Sequence, residues 1–359
     1  MEQSKSEKAI LVGLKLKQSA YDFDSSFAEL GGLVEAAGGT VIAEIVQPRE
    51  RPLAATYIGK GKVQEVAHLI EELEPDLVVF DNELSPVQQR NLEAALEIRV
   101  VDRSMLILDI FSMRARSREG KLQVELARLE YRLPRLTGFG KEMSRLGGGI
   151  GTRGAGEQKL ELDKRHIRDR IKEIKRQLEK VQATRQNQKK QRQRAGLQVV
   201  SLVGYTNAGK STLFNRLCTT GHRSGQAQVD ADARLFQTLD TTTRRIKLSS
   251  GNEVLLSDSV GFIQNLPHHL VAAFRSTLEE VVEADLLLHV VDASDHNYLE
   301  KMQVVEKVLF DLGADAEKVL TVFNKVDKLD IFPGQGCYVS AETGEGLECL
   351  LDQLERIIL

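Results

Sequence analysis

The first third of the chain alternates short apolar runs with longer segments whose apolar positions recur at helical spacing. The apolar runs have the length of buried strands, and they are "AILVGLKL", "TVIAEIV", "DLVVF" and "IRVVD". The segments between them are "FDSSFAELGGLVEAA", "KVQEVAHLIEEL" and "SPVQQRNLEAAL". Because parallel strands need a crossover connection, which is usually a helix, this alternation predicts βαβ units and a parallel sheet. We therefore expect an α/β domain in residues 1–111.

The middle of the chain, residues 112–196, carries two apolar stripes at helical spacing. The first consists of Leu122, Leu126, Leu129 and Leu133, and the second of Leu160, Ile167, Ile171, Ile174, Leu178 and Val181. Two striped helices joined by a glycine-rich connection predict an antiparallel helical hairpin. We expect Pro134 to end the first helix and Glu157 to begin the second. Residues 182–196 lose the stripe and are expected to form a polar, basic linker.

The connection "LGGGIGTRGAG" contains a G-x-G-x-x-G pattern from Gly149 to Gly154. A dinucleotide-binding turn needs a strand before this pattern and a crossover helix after it. Here the segment "GFGKEMSRL" precedes the glycines, without a strand-like run, and a long basic helix is expected to follow. We therefore interpret these glycines as the cationic tip of the hairpin and not as a dinucleotide site.

Residues 197–359 open with a strand-like run, a glycine-bearing turn and a helical pattern in "LQVVSLVGYTNAGKSTLFNRL". The turn satisfies G-x-x-x-x-G-K-S, a loop whose backbone N–H groups surround phosphate oxygens at a helix N-terminus. We expect Lys210 to reach the β- and γ-phosphates and the Ser211 hydroxyl to bind Mg²⁺. Asn207 is suited either to coordinating a monovalent cation such as K⁺ or to fixing the loop. The predicted phosphate loop comprises Gly204, Tyr205, Thr206, Asn207, Ala208, Gly209, Lys210 and Ser211.

Three further motifs follow in order, each at the end of a strand-like run. Asp258 can hold a Mg²⁺-bound water, and Gly261 can turn its N–H toward the γ-phosphate. The Asp327 carboxylate can accept two hydrogen bonds from guanine that adenine does not offer, and the Ala341 N–H can meet the guanine O6 atom. Together these motifs predict binding of GTP and GDP and a GTPase activity. The predicted nucleotide contacts are Asp258, Ser259, Val260, Gly261, Asn324, Lys325, Val326, Asp327, Ser340, Ala341 and Glu342.

The segment "DARLFQTLDTTTRRI" lies between the first and second motifs and should contain a threonine that binds Mg²⁺ and senses the γ-phosphate. We choose Thr238, although spacing alone does not exclude Thr241, Thr242 or Thr243. Nucleotide contacts are also expected from the residues around it, which are Phe236, Gln237, Leu239 and Asp240.

Phe262 directly follows Gly261, where Ras-type enzymes have a glutamine that orients the attacking water. A phenyl ring cannot position water by hydrogen bonding. We therefore expect slow unassisted hydrolysis that a partner or another loop accelerates. Lys210, Thr238 and Gly261 are the predicted catalytic residues, and Ser211 and Thr238 are the predicted metal ligands.

Charge is distributed unevenly along the chain. The formal net charge is −3, from 49 Lys and Arg against 52 Asp and Glu. Residues 112–194 contain 24 basic and 10 acidic side chains, a local balance of +14, which leaves 25 basic and 42 acidic residues, or −17, elsewhere. A basic segment between acidic ones is typical of a polyanion contact, but it is also typical of solvated charged helices.

Composition excludes other classes of protein. The apolar runs, such as residues 286–291, are far shorter than the roughly 20 residues of a membrane span, and the N-terminus has no secretory signal. Cys218, Cys337 and Cys349 are odd in number and lack metal-ligand spacing, so we interpret them as buried or incidental thiols. We expect a cytoplasmic monomer without a membrane span.

The chain resembles the HflX family of bacterial GTPases over nearly its whole length. The resemblance rests on "LILDIFSMRARSREGKLQVELARL", "GGGIGTRGAGEQKLELDKR", "GYTNAGKSTLFNRL", "LFQTLDTTTRRI" and "DSVGFIQNLPHHLVAAFRSTLEE". Ala155 and Lys159 depart from the family pattern, where Pro and an uncharged polar residue are expected. Neither residue belongs to a site proposed above.

The resemblance implies an α/β fold in three parts: an N-terminal parallel-sheet domain (1–111), an antiparallel helical hairpin (112–196) and a C-terminal Ras-like P-loop GTPase domain (197–359). It also implies binding to the large (50S) ribosomal subunit and its rRNA, with the glycine-rich tip near the peptidyl-transferase centre. Ribosome-stimulated GTP hydrolysis in ribosome splitting or rescue is the implied activity. Within "FQTLD", the resemblance places Thr238 as the Mg²⁺-sensing threonine.

Two other functions compete with ribosome splitting. The protein could be a GTP-switched assembly or storage factor on the large subunit without splitting activity. It could instead modify or remodel RNA with an active site in residues 1–111. That segment contains no His/Cys/Asp cluster and no pairing of a nucleophile with a base to support an RNA-modifying site.

Overall fold

The structure is a computed structural model, and it describes residues 6–17, 22–136, 155–194, 196–220, 235–236, 241–248, 250–264, 281–331 and 336–358. The glycine-rich connection and residues 237–240, which include Thr238, lie outside these ranges. The chain divides into two compact units. One comprises residues 1–113, 121–179 and 267–273, and the other comprises residues 114–120, 180–266 and 274–359. The division into three domains stays a prediction.

The first unit contains the predicted parallel sheet, whose four strands lie in the order β2-β1-β3-β4. All three strand pairs are parallel, so the predicted βαβ organisation is confirmed. The strands and helices are β1 (Lys8–Leu16), α1 (Phe23–Ala36), β2 (Thr40–Arg49), α2 (Lys60–Leu73), β3 (Leu77–Phe80), α3 (Pro86–Leu96), β4 (Arg99–Asp102) and α4 (Arg103–Arg114).

Local sequence explains where two of these helices begin. Helix α3 starts with a capping box, in which the Ser85 hydroxyl accepts from the Gln88 N–H and the Gln88 side chain accepts from the Ser85 N–H. Helix α4 was not predicted, because its sequence follows β4 without a turn signal. The Asp102 carboxylate accepts the Met105 N–H at 2.9 Å and so satisfies one of the unpaired donors of the first turn.

Helices α5 (Arg118–Arg135) and α6 (Ala155–Arg194) form the predicted hairpin. Leu122 and Leu126 of α5 pack with Ile174 of α6 in an apolar cluster. The pairing is antiparallel, because Glu119, early in α5, contacts Arg185, whereas Glu130, later in α5, contacts Lys175.

Both helices extend beyond the predicted limits. Pro134 lies inside the last turn of α5, and α6 begins at Ala155, two residues before Glu157. The prediction of a linker at 182–196 is wrong, because α6 continues to Arg194. The sequence from 158 to 194 contains neither Gly nor Pro, and its Gln, Lys and Arg residues favour helix even where the apolar stripe is lost.

The second unit contains a six-stranded sheet in the order β10-β9-β8-β5-β7-β6. Only the β6–β7 pair is antiparallel. Helix α7 (Lys210–Thr220) follows β5 (Gln198–Gly204), and one buried apolar cluster contains Leu213 and Phe214 of α7 together with Leu350 and Leu354 of α9 (Leu347–Ile358). The elements are β5 (Gln198–Gly204), α7 (Lys210–Thr220), β6 (Thr242–Lys247), β7 (Glu253–Asp258), β8 (Leu286–Asp292), α8 (Tyr298–Asp311), β9 (Val319–Asn324), β10 (Cys337–Tyr338) and α9 (Leu347–Ile358).

The predicted α/β fold class is therefore confirmed in both units. No helix among the described residues is both long enough and apolar enough to cross a membrane.

Candidate nucleotide site

The predicted phosphate loop connects the end of β5 to the start of α7, at the carboxyl edge of the second sheet. Glycine is required twice in this loop, because a Cβ on Gly204 would overlap the Val290 carbonyl oxygen and one on Gly209 would overlap the Asn324 side chain. Asn207 adopts the left-handed conformation with φ 61°, which Asn tolerates better than most residues. This conformation agrees with a role in fixing the loop, and K⁺ coordination by Asn207 stays a prediction.

Lys210 is held over the loop by main-chain carbonyl groups. Its Nζ donates to the Gly204 oxygen at 3.1 Å and to the Tyr205 oxygen at 2.8 Å. Burial lowers the pKa of Lys210 to about 8, and the nearby Asp258 carboxylate partly opposes this shift. An amine fixed in this way at the start of a helix is suited to binding anionic phosphate.

Ser211 and Asp258, which the sequence assigned to the same Mg²⁺ site, are hydrogen-bonded to each other. The Ser211 hydroxyl donates to the Asp258 Oδ2 atom at 2.7 Å, and Asp258 is fully buried at the end of β7. Hydroxyl and carboxylate oxygens are the hard donors that Mg²⁺ prefers, so these two residues fit the ion. Thr238, the other predicted ligand, lies outside the described residues.

The segment after Asp258 runs along the phosphate loop. Phe262 donates its N–H to the Gly204 oxygen at 3.1 Å and accepts the Thr206 N–H at 2.7 Å. Gly261 has no room for a side chain, because a Cβ there would lie 2.9 Å from both the Lys210 Nζ and the Thr206 Cα. The Ser259 hydroxyl donates to the Leu202 oxygen at 2.5 Å, so its side chain links this segment to strand β5.

Asn324 connects three of the predicted motifs. Its Nδ2 donates to the Ala208 oxygen of the phosphate loop at 2.9 Å, and its Oδ1 accepts the Ala341 N–H at 3.0 Å. Sequence reasoning assigned the Ala341 N–H to guanine O6, and that contact stays a prediction.

The Asp327 carboxylate is positioned by the neighbouring loop. The Ser340 hydroxyl donates to its Oδ1 at 2.5 Å, and the same hydroxyl accepts the Thr343 N–H at 3.1 Å. Val326 is buried beside Asp327, and the Glu342 oxygen accepts from the Arg216 guanidinium. The described motifs thus converge at one edge of the sheet.

Sequence reasoning missed two residues that support these loops. Asp292 pairs with the Nζ of Lys325 at 2.7 Å, and it could have been found, because it ends a buried strand run as Asp258 does. Arg216 donates to the Ala341 oxygen at 3.1 Å, and nothing in its sequence context signals that contact. Phe236, a predicted nucleotide contact, is buried with a left-handed φ of 54°.

The fold and these loops define a P-loop GTPase domain. Residues 199–325 match the family described as 50S ribosome-binding GTPase. Residues 24–112 and 114–192 match the families described as GTP-binding GTPase N-terminal and GTP-binding GTPase Middle Region.

Whole-chain relatives extend the match beyond single domains. The chain is 51% identical to the GTPase HflX of Caldanaerobacter subterraneus subsp. tengcongensis over 98% of its own length and 80% of that protein. It is 43% identical to the GTPase HflX of Escherichia coli over 98% of its length and 83% of that protein. The chain therefore belongs to the HflX family of GTPases.

A solved structure agrees on the fold. The crystal structure of SsGBP in complex with GDP is 24% identical, covers 98% of both chains and has a TM-score of 0.54. At this identity the likeness concerns the fold alone.

Proposed function

We propose that this GTPase binds GTP and GDP through the predicted residues of the second unit and acts on the large ribosomal subunit, in ribosome splitting or rescue. The proposed nucleotide site is supported mainly by one observation. Four predicted residues converge at one edge of the sheet, and they are Lys210, Asp258, Gly261 and Asn324. Ligands of open α/β sheets bind at the carboxyl ends of the strands, which is where these residues lie.

Mg²⁺ belongs to the proposed site. Ser211 and Thr238 would bind the ion directly, and Asp258 would hold a water bound to it. When bound, Mg²⁺ neutralises charge on the β- and γ-phosphates. Lys210 supplies a second positive charge to the same phosphates, and the Gly261 N–H is the group that senses the γ-phosphate.

Guanine selection is assigned to Asp327. Its carboxylate accepts hydrogen bonds from the N1–H and the exocyclic amine of guanine, and Ser340 orients that carboxylate. A site with paired buried hydrogen bonds discriminates strongly against a base that lacks the matching groups.

The ribosome role rests on the basic hairpin and on the family to which residues 199–325 belong. The +14 balance of residues 112–194 suits rRNA, whose phosphates dominate affinity. We infer that the N-terminal domain and the hairpin together contact the large subunit, and that the protein works in the cytoplasm, where that partner is found.

The test is GTP turnover by the full chain, alone and with purified large subunits, using the wild type and Arg153→Ala at the predicted hairpin tip. We expect strong stimulation by subunits and its loss in the variant with unchanged unstimulated turnover. Equal rates with and without subunits would contradict a ribosome-dependent GTPase. Stimulation without any dissociation of whole ribosomes would favour an assembly or storage factor.

A further inference from the structure

Two side chains close to Phe262 are buried and have polar atoms without a hydrogen-bond partner among the described residues. The Thr206 Oγ1 atom has no hydrogen-bond partner in the described part of the chain, and neither amide atom of Gln264 has one there. Thr206 is 7% exposed and Gln264 is 1% exposed. An unpaired buried hydroxyl is destabilising, and a valine of nearly the same shape would avoid that cost. Such a group is explained by a water, an ion or a partner that binds during function.

Thr206 lies where the γ-phosphate is sensed in the proposed function. Its Cα and Cγ2 atoms are each 2.9 Å from the point where a Cβ on Gly261 would lie, and the Lys210 Nζ is 2.9 Å from the same point. The methyl carbon of the Thr206 side chain therefore lies beside the two groups expected to touch that phosphate, and the hydroxyl is bonded to the same Cβ atom.

Several other polar groups near this point have partners among the described residues. The N–H and the carbonyl oxygen of Phe262 are both hydrogen-bonded to the phosphate loop, and its ring offers no polar atom. The Ser211 and Ser259 hydroxyls donate to Asp258 and to the Leu202 oxygen. Of the Thr206, Ser211 and Ser259 hydroxyls, that of Thr206 is the one without a hydrogen-bond partner in the described ranges.

We propose that the Thr206 hydroxyl orients the water that attacks the γ-phosphate of GTP, in place of the glutamine side chain for which Phe262 is substituted. This inference rests on the proposed GTP site. The hydroxyl is buried in this structure, and the proposal requires it to become accessible when the segment after Asp258 reorganises around the γ-phosphate, as GTPase switch segments do.

The chemistry requires no additional reactant. The Thr206 oxygen accepts a hydrogen bond from the water and donates its own hydrogen to a γ-phosphate oxygen. The water oxygen forms a bond to the γ-phosphorus, and the bond from that phosphorus to the β–γ bridging oxygen breaks, with its electron pair leaving on GDP. The water proton passes to the released phosphate, and Thr206 is unchanged.

The test compares Thr206→Val, which removes the hydroxyl but keeps the shape, with Thr206→Ser, which keeps the hydroxyl. The measurements are the single-turnover rate of the preformed GTP complex of the full chain, with and without large subunits, and the affinities for GTP and GDP. We expect the valine variant to lose about 100-fold in rate while both affinities stay within about 3-fold. We expect the serine variant to keep a rate close to that of the wild type.

Gln264→Met is the control, because it removes the other buried polar group near Phe262, and we expect this variant to keep the wild-type rate. A wild-type rate in Thr206→Val, or equal losses in the serine and valine variants, would overturn the assignment and leave the GTPase site intact. Loss in Gln264→Met with none in Thr206→Val would also overturn it, in favour of Gln264. Absence of hydrolysis by the wild type under every condition would overturn both this inference and the proposed function.

Discussion

At the scale of single residues, Asp327 offers the sharpest test of the proposed base contact. Asparagine has nearly the same shape, but its amide has one donor and one acceptor where the carboxylate has two acceptors. Xanthine has an oxygen where guanine has its exocyclic amine, and this oxygen can accept a hydrogen bond from the asparagine amide. We expect Asp327→Asn to weaken GTP binding by at least about 100-fold and to bind xanthosine triphosphate more tightly than the wild type does.

Equilibrium binding of both nucleotides to the wild type and to the variant measures this exchange. Ser340→Ala is the companion variant, because it removes the hydroxyl that donates to Asp327 and leaves the carboxylate in place. It should weaken GTP binding without creating affinity for the xanthine nucleotide. Unchanged preference for GTP in Asp327→Asn would mean that Asp327 does not touch the base.

Single residues also show what sequence can and cannot reveal about a site. Lys210, Ser211 and Asp258 were predicted because each occupies a fixed position after a strand, and the structure brings them together. The bond from Asn324 to Ala208 joins residues 116 positions apart, and a single sequence carries no signal of such pairing. The Thr206 hydroxyl, which has no partner among the described residues, likewise carries no signal in the sequence, because its pairing depends on distant segments.

At the scale of secondary-structure elements, strand β8 contains an unusual buried residue. His289 is 1% exposed, and its Nδ1 atom has no hydrogen-bond partner in the described ranges. Burial lowers the pKa of His289 to about 4, and the positive charge of Lys210 acts in the same direction. The strand is therefore stable with a neutral imidazole.

This pKa shift predicts a specific sensitivity to acid. Because the folded pKa of about 4 lies below the ordinary value of 6.5, the unfolded chain takes up the proton first as the pH falls. The contribution of neutral His289 to the free energy of unfolding is complete above pH 6.5. It is lost as the pH falls from 6.5 to about 4, to a total of roughly 3 kcal/mol.

Urea unfolding of the second unit between pH 7.5 and 4.5 measures that loss. His289→Leu should be less sensitive to acid than the wild type, because the group that takes up the proton is gone. His296→Leu, at an exposed position before α8, is the matched control and should keep the wild-type pH dependence. If all three proteins lost stability equally, His289 would not be the source.

Element boundaries were harder to predict than element types. The strands of the first sheet were predicted within a few residues, because buried parallel strands form continuous apolar runs. Helix α4 was missed because it follows β4 without a loop, and the end of α6 was misplaced because the apolar stripe stops before the helix does. Capping by Asp102 explains the start of α4. The helix propensity of Gln, Lys and Arg explains why α6 continues to Arg194.

At the scale of the whole molecule, the distribution of charge along the chain indicates the kind of binding partner more directly than the fold does. The fold of the second unit occurs in GTPases with many different partners, so it does not by itself specify the ribosome. The +14 balance of residues 112–194 is a property of this chain. Some of that charge is already paired, as between Arg170 and Glu125 at 2.7 Å and between Lys175 and Glu130 at 2.8 Å.

Binding to rRNA through this segment predicts a steep dependence on salt, because each phosphate contact releases counterions. We expect the affinity of the GTP-bound full chain for large subunits to fall by at least about 10-fold between 50 and 200 mM KCl. Replacing Lys164 and Arg168 of α6 with Gln should reduce the slope of log affinity against log salt concentration. The matched control replaces Lys318 and Lys328 of the second unit with Gln, which removes two positive charges from outside the hairpin. A slope reduced equally by both pairs would point to net charge and not to a hairpin contact, and a slope near zero in the wild type would contradict phosphate recognition.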